Sequence, residues 1–310
     1  MTLGLLLFQQ MISMMLIALM GYTAVKTGIA KSRDSAVLST LLLYLITPCL
    51  IISGLQMPFT MDKLAALLLA SAGALIAHLL FIGICHVLKK HTNFSSIELA
   101  SMIYSNGGNL IIALVTALLG EDHIFYCCPF ILVQLIFYWT HGVTLIGGKG
   151  HANPRKIITN PNIIALIAGL VLFIFNISLP TILKSTVATV GGTIGPVCMI
   201  MLGMIMAEAN LKEVFLSLRS WIVCLFRLIL FPLLFILTIK ITGMAYMIPS
   251  AKDILMILLL SVCGPVGATV TQMASLFHNH EEQAGAINIM SVILSIVTMP
   301  LIISFYQVFI

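Results

Sequence analysis

Charge is the scarcest property of this 310-residue chain: Asp, Glu, Lys and Arg make up 8% of it, against 60% hydrophobic residues. A soluble domain carries about 25% charged residues, so a soluble globular protein is excluded. Acids are fewer than bases, ten against fifteen. All ten fall in loops or at the ends of apolar runs, among them Glu98 and Glu208. That pattern disfavours an antiporter that binds cations through buried carboxylates. The seven cysteines form no CxxC pair, which excludes a disulfide framework or a zinc ribbon. Each sits in or beside an apolar run, where a thiol behaves as a small hydrophobe. The bases are scattered and form no nucleic-acid-binding stripe. No HExxH, GxSxG, P-loop or intramembrane carboxylate pair is present, so no enzyme signature appears. The composition, with a mean hydropathy of +1.15, is that of an all-α polytopic membrane protein.

A membrane-crossing helix needs about 20 apolar residues. Runs of this kind predict ten spans: Gly4–Val25, Ser35–Leu55, Leu64–Leu88, Ile97–Leu119, His123–Ile146, Pro161–Ser178, Leu183–Ala207, Trp221–Ile241, Ile254–Phe277 and Ala284–Phe309. They are too long, and alternate too little, for barrel strands. The first lacks a basic leader and reads as a retained helix, not a signal peptide. The longest polar connection, Gly147 to Asn160, is glycine-rich and basic. Ten bases lie in loops after odd-numbered spans and four in loops after even-numbered ones. Basic loops stay cytoplasmic, so both termini are expected outside and the central loop inside. The expected location is the plasma (inner) membrane.

The chain divides into a first repeat of five helices (1–147), a cytoplasmic linker (148–160) and a second repeat of five (161–310). Thr47-Pro48 interrupts span two and Gly195-Pro196 span seven. Ser105-Asn106-Gly107-Gly108-Asn109 interrupts span four, and Gly264-Pro265-Val266-Gly267 span nine. Breakers therefore recur at the second and fourth span of each half. An odd number of spans per half makes the repeats inverted. Carriers built this way bind substrate near the midplane, at discontinuous helices. Backbone groups freed there cannot face lipid, and half-helix N-termini suit an anion.

The candidate binding residues follow from those breaks. Asn106 and Asn109 offer amide donors and acceptors, or else cap the half-helices. Gly107, Gly108, Gly264, Pro265 and Gly267 open the backbone. Thr269, Thr271 and Gln272 follow the second break, though a threonine hydroxyl often bonds its own helix. Thr47 and Tyr44 are candidates for the opposite wall. Arg227 lies inside span eight, a candidate for anion attraction or for an ion pair with Glu208 or Glu98. Snorkelling to the interface is the blander account, and the favoured one. His78, inside span three, is a candidate for proton coupling. His278 to Glu282 reads as a solvated loop, because adjacent side chains do not converge on a metal. No metal site and no cofactor are expected. Gly191 and Gly195 read as a helix-packing pair.

YSNGGNL in span four, TPCLIISGL in span two and NPNIIALIAGL opening span six resemble the auxin efflux carrier family. So do GPVCMIMLGMIMA, RLILFP, PVGATVTQMASLF and NIMSVILSIVTMPL in spans seven to ten. The resemblance implies a membrane carrier related to malate-type organic anion permeases, with a fold like that of the bile-acid and sodium/proton carriers. It implies that helices four and nine cross at the midplane. It also implies a scaffold of spans one, two, six and seven, and a transport unit of spans three to five and eight to ten. A homodimer is compatible with it. Leu110, Ile111 and Ile112 stand where relatives often carry a proline, so a milder break is expected in span four. The reading is a secondary carrier for a small carboxylate. The alternatives are a non-transporting sensor of the same fold and a symporter coupled to a cation; a proton or sodium partner is left open.

Overall fold

The computed structural model describes residues 3–148, 155, 158–208 and 211–310; the side chains of residues 3, 109 and 211–213 fall outside that description. Among the described residues the chain is helical, without strands except for one antiparallel bridge between Ser105 and Val266. The helices are α1 (Leu3–Lys26), α2 (Ser32–Gly54), α3 (Met61–His91), α4 (Ser96–Ile103), α5 (Asn109–Leu119) and α6 (Glu121–Gly147). There follow α7 (Pro161–Ile174), α8 (Thr181–Met206), α9 (Leu218–Thr242), α10 (Ala251–Cys263), α11 (Ala268–Leu276) and α12 (Glu281–Phe309), with a short unnumbered helix, Leu211–Leu216, between α8 and α9.

Seven of these helices are long and apolar enough to cross a membrane: α1, α2, α3, α6, α8, α9 and α12. The other three expected spans are shorter or divided. Span six is α7, whose 14 residues reach about 21 Å at 1.5 Å per residue. Span four is split into α4 and α5, and span nine into α10 and α11. Of the expected linker, residues 149–154, 156 and 157 lie outside the described residues. At its end the Asn160 side chain accepts a hydrogen bond from the Asn162 amide at 2.9 Å, and Pro161 opens α7. Proline suits that position because its missing donor would be unpaired anyway.

Local chemistry explains where the helices widen or start. Pro48 and Pro232 each follow a π-helical stretch, Leu42–Ile46 and Phe226–Leu230. The wider turn accommodates a ring that would collide with an α-helical carbonyl. A capping box opens α4: the Glu98 amide donates to Ser95 Oγ at 3.1 Å, and the Ser95 amide to the Glu98 carboxylate at 2.7 Å.

Two groups of helices emerge from the packing. In one, α1 lies along α8, and α2 contacts both α7 and α8. Close approach sets the first pair: a side chain on Gly203 would collide with the Ala18 carbonyl, and one on Gly21 with the Ile200 carbonyl. Small residues let backbones meet without the hydrophobic drive that water supplies. In the other group α3, α4, α6, α9, α10, α11 and α12 surround one another. Every residue of α10 from Ile254 to Cys263 is buried, as expected of a helix apolar on all sides. The groups meet where α1 touches α12 and where α5 touches α1 and α8. A small apolar crevice lies on that seam, lined by Met14, Leu110, Met199 and Val292 among others. Gly191 lies against Leu50 of α2, its added Cβ only 2.8 Å from the Leu50 Cα, which is the packing role expected; Gly195 has ordinary room beside Ala113.

The milder break expected in span four is not what forms. Helix α4 stops at Ile103 and α5 starts at Asn109, an interruption as full as the one from Gly264 to Gly267. A proline is unnecessary because the unwound backbone has another partner, the second break.

Candidate functional site at the helix crossover

The two breaks run past each other as a short antiparallel pair. The Asn106 amide donates to the Pro265 carbonyl at 2.7 Å, and the Gly267 amide to the Tyr104 carbonyl at 3.0 Å. An unpaired buried backbone group costs about 1–3 kcal/mol, so this pairing makes the double break tolerable. Glycine is needed here for close approach. A Cβ on Gly267 would lie 2.9 Å from the Ser105 carbonyl, and one on Gly107 2.6 Å from the Phe130 ring.

The outer edges of the pair are held by side chains. Gln134 of α6 accepts from the Ser105 amide (3.1 Å) and hydroxyl (3.0 Å) and donates to the Ser105 carbonyl (2.9 Å). On the other edge the Val266 amide donates to Ser291 Oγ at 3.0 Å, and Asn288 Nδ2 donates to the Val266 carbonyl at 2.8 Å. Each break is thus clamped by the unbroken helix that follows it. Sequence reasoning missed Gln134, Asn288 and Ser291. Their signal was available: each is a polar side chain within an apolar run.

Arg227 is wholly buried. Its Nε donates to the Gly264 carbonyl (3.0 Å), Nη1 to those of Met102 and Ile103 (both 3.2 Å), and Nη2 to that of Val262 (2.6 Å). Snorkelling, the favoured sequence reading, is therefore corrected. The proposed ion pair with Glu98 is corrected too: that buried carboxylate meets Arg219 at 3.2 Å. The arginine instead closes the C-terminal ends of α4 and α10. Each helix end carries about −0.5 of a charge, so two ends balance one guanidinium. The N-termini of α5 and α11, at the same crossover, each add about +0.5. The crossover is left with a positive balance on the side where those two helices begin.

The structure also places the remaining candidates. Asn106 and Gly108 are half-buried; Asn109 opens α5, and its side chain falls outside the described residues. Gly264, Pro265 and Gly267 are buried, with the Gly264 carbonyl bound by Arg227 and the other two residues bound across the crossover. Thr269 is exposed and its carbonyl accepts from the Tyr138 hydroxyl. Gln272 is exposed and donates to Ser39 Oγ of α2 at 3.2 Å, joining the two helix groups. The half-buried Thr271 hydroxyl lies 3.4 Å from the Ala284 carbonyl. Thr47 is buried just after the π-helical stretch of α2, while Tyr44 is 65% exposed.

His78 is buried between Phe130 and Phe137. Its Nδ1 donates to the Ala74 carbonyl at 2.8 Å, and its Nε2 has no hydrogen-bond partner among the described residues. His278 to His280 form a surface turn and Glu281 and Glu282 open α12, with a 3.0 Å contact between His278 and Glu281. Among the described residues no group of three or more His, Cys, Asp or Glu side chains converges as a metal site would require.

A search of curated proteins found no match to the chain. A family model does match: that of the membrane transport proteins, a family that includes the auxin efflux carriers, over residues 6–154 and again over 150–303. With its helical, multi-pass architecture and nearly its whole length matched, the chain belongs to the membrane transport protein family.

Proposed function

We propose that the chain is a secondary carrier for a small organic anion, a carboxylate of malate-like size, working by alternating access in the plasma (inner) membrane. The observation that carries this reading is the charge balance of the crossover. Two half-helix N-termini and a buried arginine meet there, and Glu98, the buried acid among the described residues, is paired elsewhere. Asn106 and Asn109 would orient the carboxylate, with Gly107 and Gly108 letting it approach the α5 amides. Thr269, Gln272 and Thr47 would border the path. His78, with one ring nitrogen unpartnered, is the candidate proton carrier.

Counting α4 with α5 and α10 with α11, and the short α7, as one crossing each gives ten. Ten crossings fit two inverted repeats, 1–147 and 161–310, with both termini outside. The matching clamps on the two breaks support that symmetry. The α1, α2, α7, α8 group would be the scaffold, and the other helices the moving unit. Purified protein in proteoliposomes should take up a radiolabelled carboxylate. Competition should favour the carboxylate over its amide or amine isostere by about tenfold, or 1.4 kcal/mol. Equal inhibition by the cationic isostere would sink the anion reading.

A further inference from the structure

We infer that Arg227 is a resident cation: its guanidinium stands where a carrier of this architecture would bind a coupling metal ion, so transport needs no sodium. The inference rests on the carrier reading above. In carriers with broken helices, the unwound carbonyls and half-helix C-terminal ends are the groups that coordinate the coupling cation. Here those groups are the carbonyls of Met102, Ile103, Val262 and Gly264, and all four accept from Arg227. The guanidinium takes carbonyls from both broken helices at once. That is the cross-link a metal ion would make when it draws two half-helix ends together.

Charge and chemistry agree with the geometry. A second cation beside the guanidinium would be repelled in a region shielded from water. Hard cations are held by oxygen ligands, among which carboxylates supply the charge. Glu98, the buried acid among the described residues, lies in the first turn of α4 and is held by Arg219, the Ser95 amide and Gln283. Because Arg227 is tethered to α9, it returns with the empty carrier and adds no ion to the cycle. It is a positioning residue, holding the two half-helix ends whose partners α5 and α11 face the substrate.

The experiment has two arms. In the first, wild-type protein is compared in sodium, potassium and choline media, by carboxylate flux in proteoliposomes and by thermal unfolding in detergent. Flux should change by less than about twofold, and the unfolding midpoint should not move. A drop of about tenfold in choline, or a midpoint raised by sodium, overturns the inference. If no carboxylate moves in any medium, the carrier reading fails, and the unfolding midpoint still decides whether a cation binds.

The second arm replaces the charge. Arg227→Met keeps a long stem without charge, and Arg227→Lys keeps the charge without the planar fork. The methionine variant should lose flux by about tenfold or more, and millimolar guanidinium or sodium should restore part of it. The lysine variant should retain more flux than the methionine variant, still without need of sodium. Methionine-variant flux equal to wild type in choline overturns the inference, because no cation would then be needed. If the methionine variant does not fold, the wild-type arm and the lysine variant decide.

Discussion

Gln134 reads the backbone of Ser105 as a neighbouring strand would, accepting from its amide at 3.1 Å and donating to its carbonyl at 2.9 Å. A side-chain amide holds a carbonyl acceptor and N–H donors in one plane, so it can offer the one acceptor and one donor that a peptide group presents. The unwound segment is therefore flanked on one edge by a real backbone, that of Val266, and on the other by an imitation of one.

Gln134→Leu keeps the volume and removes the polar pair. The Ser105 amide and carbonyl would then be buried without partners, at about 1–3 kcal/mol each. The thermal unfolding midpoint in detergent should fall clearly. An unchanged midpoint would show that Ser105 is held without this side chain.

Gly203→Ala should be poorly tolerated, because the new methyl would meet the Ala18 carbonyl across the α1–α8 contact. Overpacking typically costs about 1–3 kcal/mol, and here the obstruction is backbone, which cannot rotate away. Gly195→Ala is the control, since its Cβ would lie 3.5 Å from Ala113, an ordinary contact. Size-exclusion profiles and yields should separate the two. Equal behaviour would mean that α1 and α8 are not so closely joined.

Asn106→Ala should lower carboxylate flux by about tenfold or more while leaving the unfolding midpoint near wild type, since its backbone amide still reaches Pro265. Gly267→Leu should lose both flux and stability, because a Cβ there lies 2.9 Å from the Ser105 carbonyl. Near-normal flux in both variants would reduce the crossover to a structural kink.

His78→Gln tests proton coupling. The unpartnered Nε2 is the atom able to accept a proton. In proteoliposomes the variant should lose the acceleration that an imposed pH gradient gives wild type. A variant that keeps the full response would leave His78 as a packing residue against Phe130 and Phe137.

Topology is checked by labelling. Single cysteines in place of Gly28 and Asn176, both exposed loop residues, should react from opposite sides of the membrane, Gly28 from inside. The native cysteines are buried except for the partly buried Cys49, so background labelling should be low. Labelling of both from one side would contradict the ten-crossing arrangement.

The sequence by itself determined the apolar runs, the membrane class and the places where a helix is weakened. Those are local properties: twenty apolar residues in a row need no partner to be recognised, and Gly107, Gly108, Gly264 and Pro265 disrupt a helix wherever it lies. It also placed Arg227 inside a span. What the arginine touches was decided only by the tertiary structure. Its partners are carbonyls, which every residue possesses, so no residue type marks them, and those of Met102 and Ile103 lie more than a hundred positions away. The three side chains stand out as polar within apolar runs, but what Gln134, Asn288 and Ser291 clamp was hidden for a related reason. Where lipid and protein interior are equally apolar, hydropathy does not reveal which face of a helix points inward. Only the folded chain shows that these polar side chains meet an unwound backbone. Likewise, whether a helix break becomes a kink or a full interruption depends on a partner for the freed backbone, and for span four that partner, Val266, belongs to the other half of the chain.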